Sequence, residues 1–297
     1  MIHRYQKKGL NFVLDVNSGA VHLLDDISYA VSGLIDENMT EKCPESVVEA
    51  LPQYAADDVR EAYGELYELK KAGQLFAEDD YIDVSRYIPV GAPVKALCLH
   101  VAHDCNLRCK YCFASTGDFG QGRKIMPPEI AKKAIDFVIA RSGVRHNIEV
   151  DFFGGEPLMA WDTVTQTVDY ARSLEEKYNK KFRFTITTNG LLLDEDKRKY
   201  INENMDNCVL SLDGRREVND EFRKTVAGTG SYDTIVPKFK ALVDERDPNL
   251  DYYARGTFTS HNLDFANDVL SIADAGFDRL SVEPVTADPG CGYDLTE

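Results

Sequence analysis

Cys105, Cys109 and Cys112 fall within eight residues, in the run His103-Asp104-Cys105-Asn106-Leu107-Arg108-Cys109-Lys110-Tyr111-Cys112-Phe113. The spacing is C-x3-C-x2-C. A four-iron cluster normally takes four thiolates, so three local ones leave one iron open to another ligand. Such a cluster can touch a substrate as well as carry an electron. Zinc is the competing metal, but its sites pair cysteines in twos, with a second Cys or His pair downstream. No second C-x2-C and no H-x3-H pattern appears. Arg108 and Lys110 flank the thiolates and offset their charge. His103 is either a shield for the cluster or an ordinary loop residue.

Further segments carry polar groups suited to a small zwitterionic ligand. Gly154-Gly155-Glu156-Pro157 combines two residues that permit close backbone approach with a carboxylate that can accept from an ammonium group. Thr187-Thr188-Asn189-Gly190 is a second such segment, with a simple Asn-Gly turn as the alternative. In Ser211-Leu212-Asp213-Gly214, Ser211 is a hydrogen-bonding candidate and Asp213 a ligand contact, helix cap or turn residue. Arg223 and Arg255 can each clamp a carboxylate as a fork, and Glu283 either faces the same site or ends a strand.

These segments need elements to position them. From residue 94 onward, short apolar runs alternate with helical patterns. The expected strands are 94–101, 148–153, 182–187, 207–212, 252–259 and 279–283, and the expected helices 127–141, 162–178, 194–203, 232–245 and 263–275. This alternation predicts an α/β fold with a parallel sheet. Six strands are too few for a closed eight-stranded barrel, so a partial (β/α)6 barrel is expected. The candidate segments then all lie at strand C-terminal ends, where active groups of such folds sit.

Residues 1–88 read as a separate α+β module. Runs at 11–16 and 20–24 flank a hairpin signal at Asn17-Ser18-Gly19. Asp25 or Asp26 caps a helix expected to reach about Glu37. Pro44 opens a short helix to Leu51, and Asp57–Lys71 shows helical spacing stopped by Gly73. This set of elements is winged-helix-like. Pro89-Val90-Gly91-Ala92-Pro93 reads as the linker to a second domain at 89–286.

C-x3-C-x-aromatic-C after the first strand of a β/α repeat, followed by a GGEP segment, resembles the radical S-adenosylmethionine (SAM) superfamily over about residues 94–284. The resemblance implies a 4Fe-4S cluster on Cys105, Cys109 and Cys112, with SAM chelated at the open iron. It implies reductive cleavage of SAM to methionine and a 5′-deoxyadenosyl radical that takes a hydrogen atom from substrate. It places Gly154, Gly155 and Glu156 at the SAM amino group and Thr188 and Asn189 at the pocket border. Ser211, Asp213, Arg223 and Glu283 are further contacts, Arg223 matching the carboxylate-binding position better than Arg255. Tyr111 packs near the adenine, and backbone groups around Phe113 read its edge.

Asn11–His22 and Ser281-Val282-Glu283-Pro284-Val285 resemble the maturases of SCIFF peptides. That resemblance implies thioether cross-linking of a Cys-rich ribosomal precursor peptide bound through the N-terminal domain. It also implies an electron donor such as flavodoxin or ferredoxin. Those maturases continue into a SPASM domain with two auxiliary clusters, so residues 287–297 are expected to be the start of a truncated extension. After Cys112 only Cys208 and Cys291 follow. Cys291 is a first ligand of that set or a free thiol, while Cys43, Cys98 and Cys208 are expected as small buried hydrophobes. The alternatives are sulfatase-maturase-like oxidation of Ser or Cys in a protein, or a non-catalytic iron–sulfur leader-binding protein.

Bulk composition narrows the classes. The 297 residues carry a net charge of −16, and residues 1–88 hold eight Lys or Arg against seventeen Asp or Glu. Such surfaces repel phosphate backbones, so nucleic acid is not an expected partner. No apolar run approaches a membrane span and no signal peptide opens the chain, so a cytoplasmic location is expected.

Overall fold

The computed structural model describes residues 1–79 and 91–295. The chain forms two compact units, Met1–Ala92 and Pro93–Glu297. Pro89 and Val90 of the expected linker lie outside the described residues.

The first unit has an antiparallel sheet in the order β1 (Ile2–Lys7), β2 (Leu10–Asp15), β3 (Val21–Leu24). Lys8 and Gly9 both take positive φ, +53° and +76°, which makes β1 and β2 a two-residue hairpin. The helices are α1 (Asp26–Ser32), α2 (Glu45–Glu49) and α3 (Ala56–Lys71). The Asp25 carboxylate caps α1 by accepting from Ser28 N. This helix stops well short of Glu37. Gly33 lies where the Arg4 guanidinium crosses, and a Cβ there would come within 2.4 Å of it. Val13, Val31, Val59, Tyr63 and Leu66 are fully buried and form the core.

The second unit holds six parallel strands: β4 (Ala96–His103), β6 (Asn147–Gly154), β7 (Lys181–Thr188), β8 (Asn207–Ser211), β9 (Asp251–Phe258) and β10 (Leu280–Pro284). A short β5 (Lys124–Ile125) runs antiparallel to β4. The order is β10-β9-β8-β7-β6-β4-β5, and among the described residues the ladder does not close on itself. Between strands lie α4 (Pro128–Arg141), α5 (Trp161–Tyr178), α6 (Glu195–Asn204), α7 (Arg216–Phe222), α8 (Tyr232–Asp244) and α9 (Ala266–Asp274). The polar α7 has too weak an apolar pattern to have been foreseen.

Burial alternates along these strands. Ile148, Val150 and Phe152 of β6 are buried, as are Phe182, Phe184 and Ile186 of β7, and they share one core with the helices. Phe152 and Phe184 stack at 5.7 Å. The alternate positions carry Asp151, Phe153, Thr185, Thr187, Ser211, Arg255 and Thr257, which remain at least partly exposed. A sheet covered on both faces would be apolar on both, so this polar inner face is free for a ligand. Cys98 lies on it and is exposed rather than buried, whereas Cys43 and Cys208 are buried as expected.

Candidate active site

β4 ends in the cysteine loop, which is tied to the segment after α7. Leu107 bridges to Thr225. Arg108 N donates to Lys224 O at 2.7 Å and Lys110 N to Phe222 O at 3.0 Å. The Arg108 guanidinium donates to the carbonyls of Cys105 and Leu107, so its first task is to cap loop backbone. His103 does not line the cavity; its ring packs against Phe119 and His100.

Cys105, Cys109 and Cys112 border one cavity of about 660 Å³ at the C-terminal ends of the strands. Burial pushes the thiol of Cys105 up to about 11 and that of Cys109 to about 12. Thiolates there need a cationic centre to stabilise them. Three cysteine thiols bordering one cavity are a donor set that suits an iron–sulfur cluster, which takes each thiolate at a separate iron.

Glu156, between β6 and α5, is 1% exposed. Its Oε1 accepts from Leu158 N at 3.0 Å and Thr188 Oγ1 at 2.8 Å, and its Oε2 accepts from Asn189 N at 2.8 Å. A carboxylate offers about four acceptor positions, so roughly one is left toward the cavity. Burial raises its pKa to about 7 against these three donors. Asn189 Nδ2 donates to Asn106 Oδ1 at 2.8 Å and lies 3.5 Å from Cys105 Sγ. The end of β7 thus braces both Glu156 and the first cysteine. The two glycines are needed for a chain-to-chain approach. A Cβ on Gly154 would sit 2.3 Å from Ala102 O, and one on Gly155 2.2 Å from Asp104 O.

Arg223 follows α7 directly, and its side chain is only 11% exposed. Its Nε lies 2.9 Å from Asp213 Oδ2 and its Nη2 donates to Oδ1 at 3.0 Å. Burial works against its charge, but Asp213, then Tyr111 and Cys109, hold its pKa above the ordinary arginine value. Asp213 does not line the cavity. Its fully buried carboxylate also accepts from Tyr111 OH at 2.5 Å and Thr257 N at 3.0 Å. It is neither a cap nor a turn residue; it orients Arg223 and Tyr111 from behind. Tyr111 keeps its proton because burial pushes its pKa well upward.

Tyr111, Phe113, Gly154, Gly155, Glu156, Thr188, Asn189, Ser211, Arg223 and Glu283 all line this cavity with the three cysteines. Arg255 lines it too and is ion-paired to Glu283, both side chains about half exposed. Phe113 is exposed and stacks on Phe153.

One group was missed from sequence. Tyr293 OH donates to Lys110 O at 2.9 Å, clamping the loop between two ligands. His261 bridges Glu221 and Gly292 O, and Glu221 also meets Lys110. These residues are far apart in the chain and no local pattern marks them.

Comparison with known proteins gives a match of the radical SAM superfamily model to residues 99–253. A curated relative, the radical SAM cyclopropyl synthase TigE of Paramaledivibacter caminithermalis, is 29% identical over 63% of this chain and 40% of its own. The cysteine-type anaerobic sulfatase-maturating enzyme of Clostridium novyi is 29% identical over 47% of this chain and 37% of its own. The solved structure of anSMEcpe with bound AdoMet and Cp18Cys peptide superposes with a TM-score of 0.59 at 23% identity, over 68% of this chain and 55% of that one. At that identity the likeness shows the fold alone. The chain spans about half or less of the length of these proteins.

Proposed function

Since the chain belongs to the radical SAM superfamily, we propose that it binds SAM in the cysteine-lined cavity and uses the resulting radical on a polypeptide. Enzymes of this family carry a 4Fe-4S cluster and SAM. The observation that carries the reading is the convergence of three thiols, Glu156 and Arg223 on one cavity.

The residues divide the work by charge. Cys105, Cys109 and Cys112 hold the cluster. When bound, the cluster and SAM together supply a carbon-centred radical that removes a hydrogen atom. Glu156 offers its remaining acceptor position to the SAM ammonium group, beside the Gly154–Gly155 backbone. Arg223 presents Nη1 to the carboxylate, because Nη2 donates to Asp213 while the buried Nε only lies beside Asp213 Oδ2 and makes no hydrogen bond. Ser211, Thr188 and Asn189 complete the polar border, and Tyr111 and Phe113 present aromatic surface for the adenine. Arg255 and Glu283, on β9 and β10, line the same cavity and face the substrate side.

The proposed reaction joins a Cys sulfur of a Cys-rich precursor peptide to a carbon of an acceptor residue as a thioether. The radical takes the hydrogen atom from that carbon, and the C–S bond replaces its C–H and the thiol S–H. The thiol proton goes to solvent and one electron returns to an iron–sulfur cluster. The first unit, whose sheet ends on unpaired strand edges among the described residues, would hold the peptide's leader, and a flavodoxin or ferredoxin would supply the electron. The relatives named as sulfatase maturases support a second reading, oxidation of a Ser or Cys in a protein substrate. Anaerobically reconstituted protein with SAM and reductant should release 5′-deoxyadenosine; failure to do so refutes both. A Cys-rich precursor losing two hydrogens into a thioether selects the first reading. Conversion of a sulfatase peptide to an aldehyde selects the second.

A further inference from the structure

The first unit presents a sheet face that its own helices do not cover. Cross-strand pairing sets Tyr5 opposite Phe12, His3 opposite Leu14 and Lys7 opposite Leu10. It also sets Phe12 opposite Leu23 and Leu14 opposite Val21. Partners across an antiparallel pair share a face, so these eight side chains lie together. The opposite face carries the buried Asn11, Val13 and Asp15. Leu10, Val21 and Leu23 are 47, 58 and 62% exposed. Contiguous apolar surface of this kind marks an interaction site.

Charge narrows the occupant. None of the eight residues is acidic, although residues 1–88 carry a net −9. Lys7 is on the face and Lys8 is at its corner. A second copy docked face to face would bring no carboxylate to this surface, because the same eight residues would meet themselves. An anionic membrane is an extended surface that would meet the net −16 of the whole chain, whereas a single helix meets only this face. Three strands about 4.8 Å apart make a strip about 10 Å wide, and a helix with its side chains is about 10–12 Å across.

We infer that this face of β1, β2 and β3 docks an amphipathic helix of another polypeptide, with acidic residues bordering its apolar stripe. This surface belongs to the first unit and the cysteine-lined cavity to the second, and its docking does not depend on the chemistry proposed there.

The test uses the full chain and two synthetic helical peptides of about 18 residues, with the same Leu-rich stripe flanked by Glu in one and Lys in the other. Fluorescence anisotropy should show the Glu peptide binding at least tenfold tighter. Leu23→Asp should weaken it at least tenfold and Lys7→Glu should reduce or reverse the preference, with circular dichroism unchanged in both variants. Equal binding of the two peptides, no binding, or binding unaffected by Leu23→Asp overturns the inference. Self-association in sedimentation, or binding to phosphatidylserine vesicles, that Leu23→Asp alone abolishes assigns the face to a second copy or to lipid, and also overturns it.

Discussion

Replacing Asp213 by Asn probes the centre behind the cavity. The Asp213 side chain is fully buried and that of Arg223 is 11% exposed, so solvent screens the pair little. Asn keeps the shape and one acceptor for Thr257 N but leaves the guanidinium without a counter-charge. Removing one partner of a buried pair costs about 3–5 kcal/mol. The Oδ2 that accepts from Tyr111 OH becomes an NH2, so Tyr111 also loses its acceptor, at a cost of about 1 kcal/mol or more. The two losses share one atom and will not add fully, so the expected destabilisation is about 4 kcal/mol. Urea unfolding of the metal-free chain measures it. The single tryptophan, Trp161, opens α5 and packs edge-on against Tyr200 at 5.2 Å, so its fluorescence reports the second unit. Adding Arg223→Met to Asp213→Asn should recover at least about 2 kcal/mol, because no unpaired charge remains. A single variant within about 1 kcal/mol of the parent, or a double variant equal to the sum of the singles, would refute the buried-pair reasoning.

Other outcomes follow from the same geometry. Glu156 has its folded pKa raised from 4.5 to about 7, so the folded chain holds this proton more tightly than the unfolded chain does. Its contribution is most favourable below about pH 4.5 and is lost as pH rises to 7, by up to about 3 kcal/mol; comparing Glu156→Gln with the parent across that range should isolate the slope. Gly155→Ala places a methyl against Asp104 O and should cost about 1–3 kcal/mol or more, read as a lower urea midpoint and poorer iron incorporation. Ala at Cys105, Cys109 or Cys112 should abolish the cluster's visible absorbance after reconstitution, whereas Cys98→Ala should retain it. Tyr293→Phe removes one hydrogen bond to the Lys110 carbonyl, about 0.5–1.5 kcal/mol, and should speed iron loss to a chelator without preventing assembly.

Much of this was written locally. The C-x3-C-x2-C spacing and the alternation of apolar runs with helical patterns are short-range features, because thiolate reach and backbone periodicity act over a few residues. They located the cysteine loop, the strands and the cavity-lining segments of β6, β7 and β8. Tertiary structure alone determined the roles of residues whose partners are remote. Asp213 reads as a turn residue until Arg223 and Tyr111 are packed against it. Gly154 and Gly155 read as ligand approach until Ala102 and Asp104 close on them. Tyr293 meets Lys110 across 183 positions, and Cys98 turns out exposed because helices cover only one face of the sheet. A residue's type limits the bonds it can make, but burial and remote partners select among them, and both arise only when distant segments share one core.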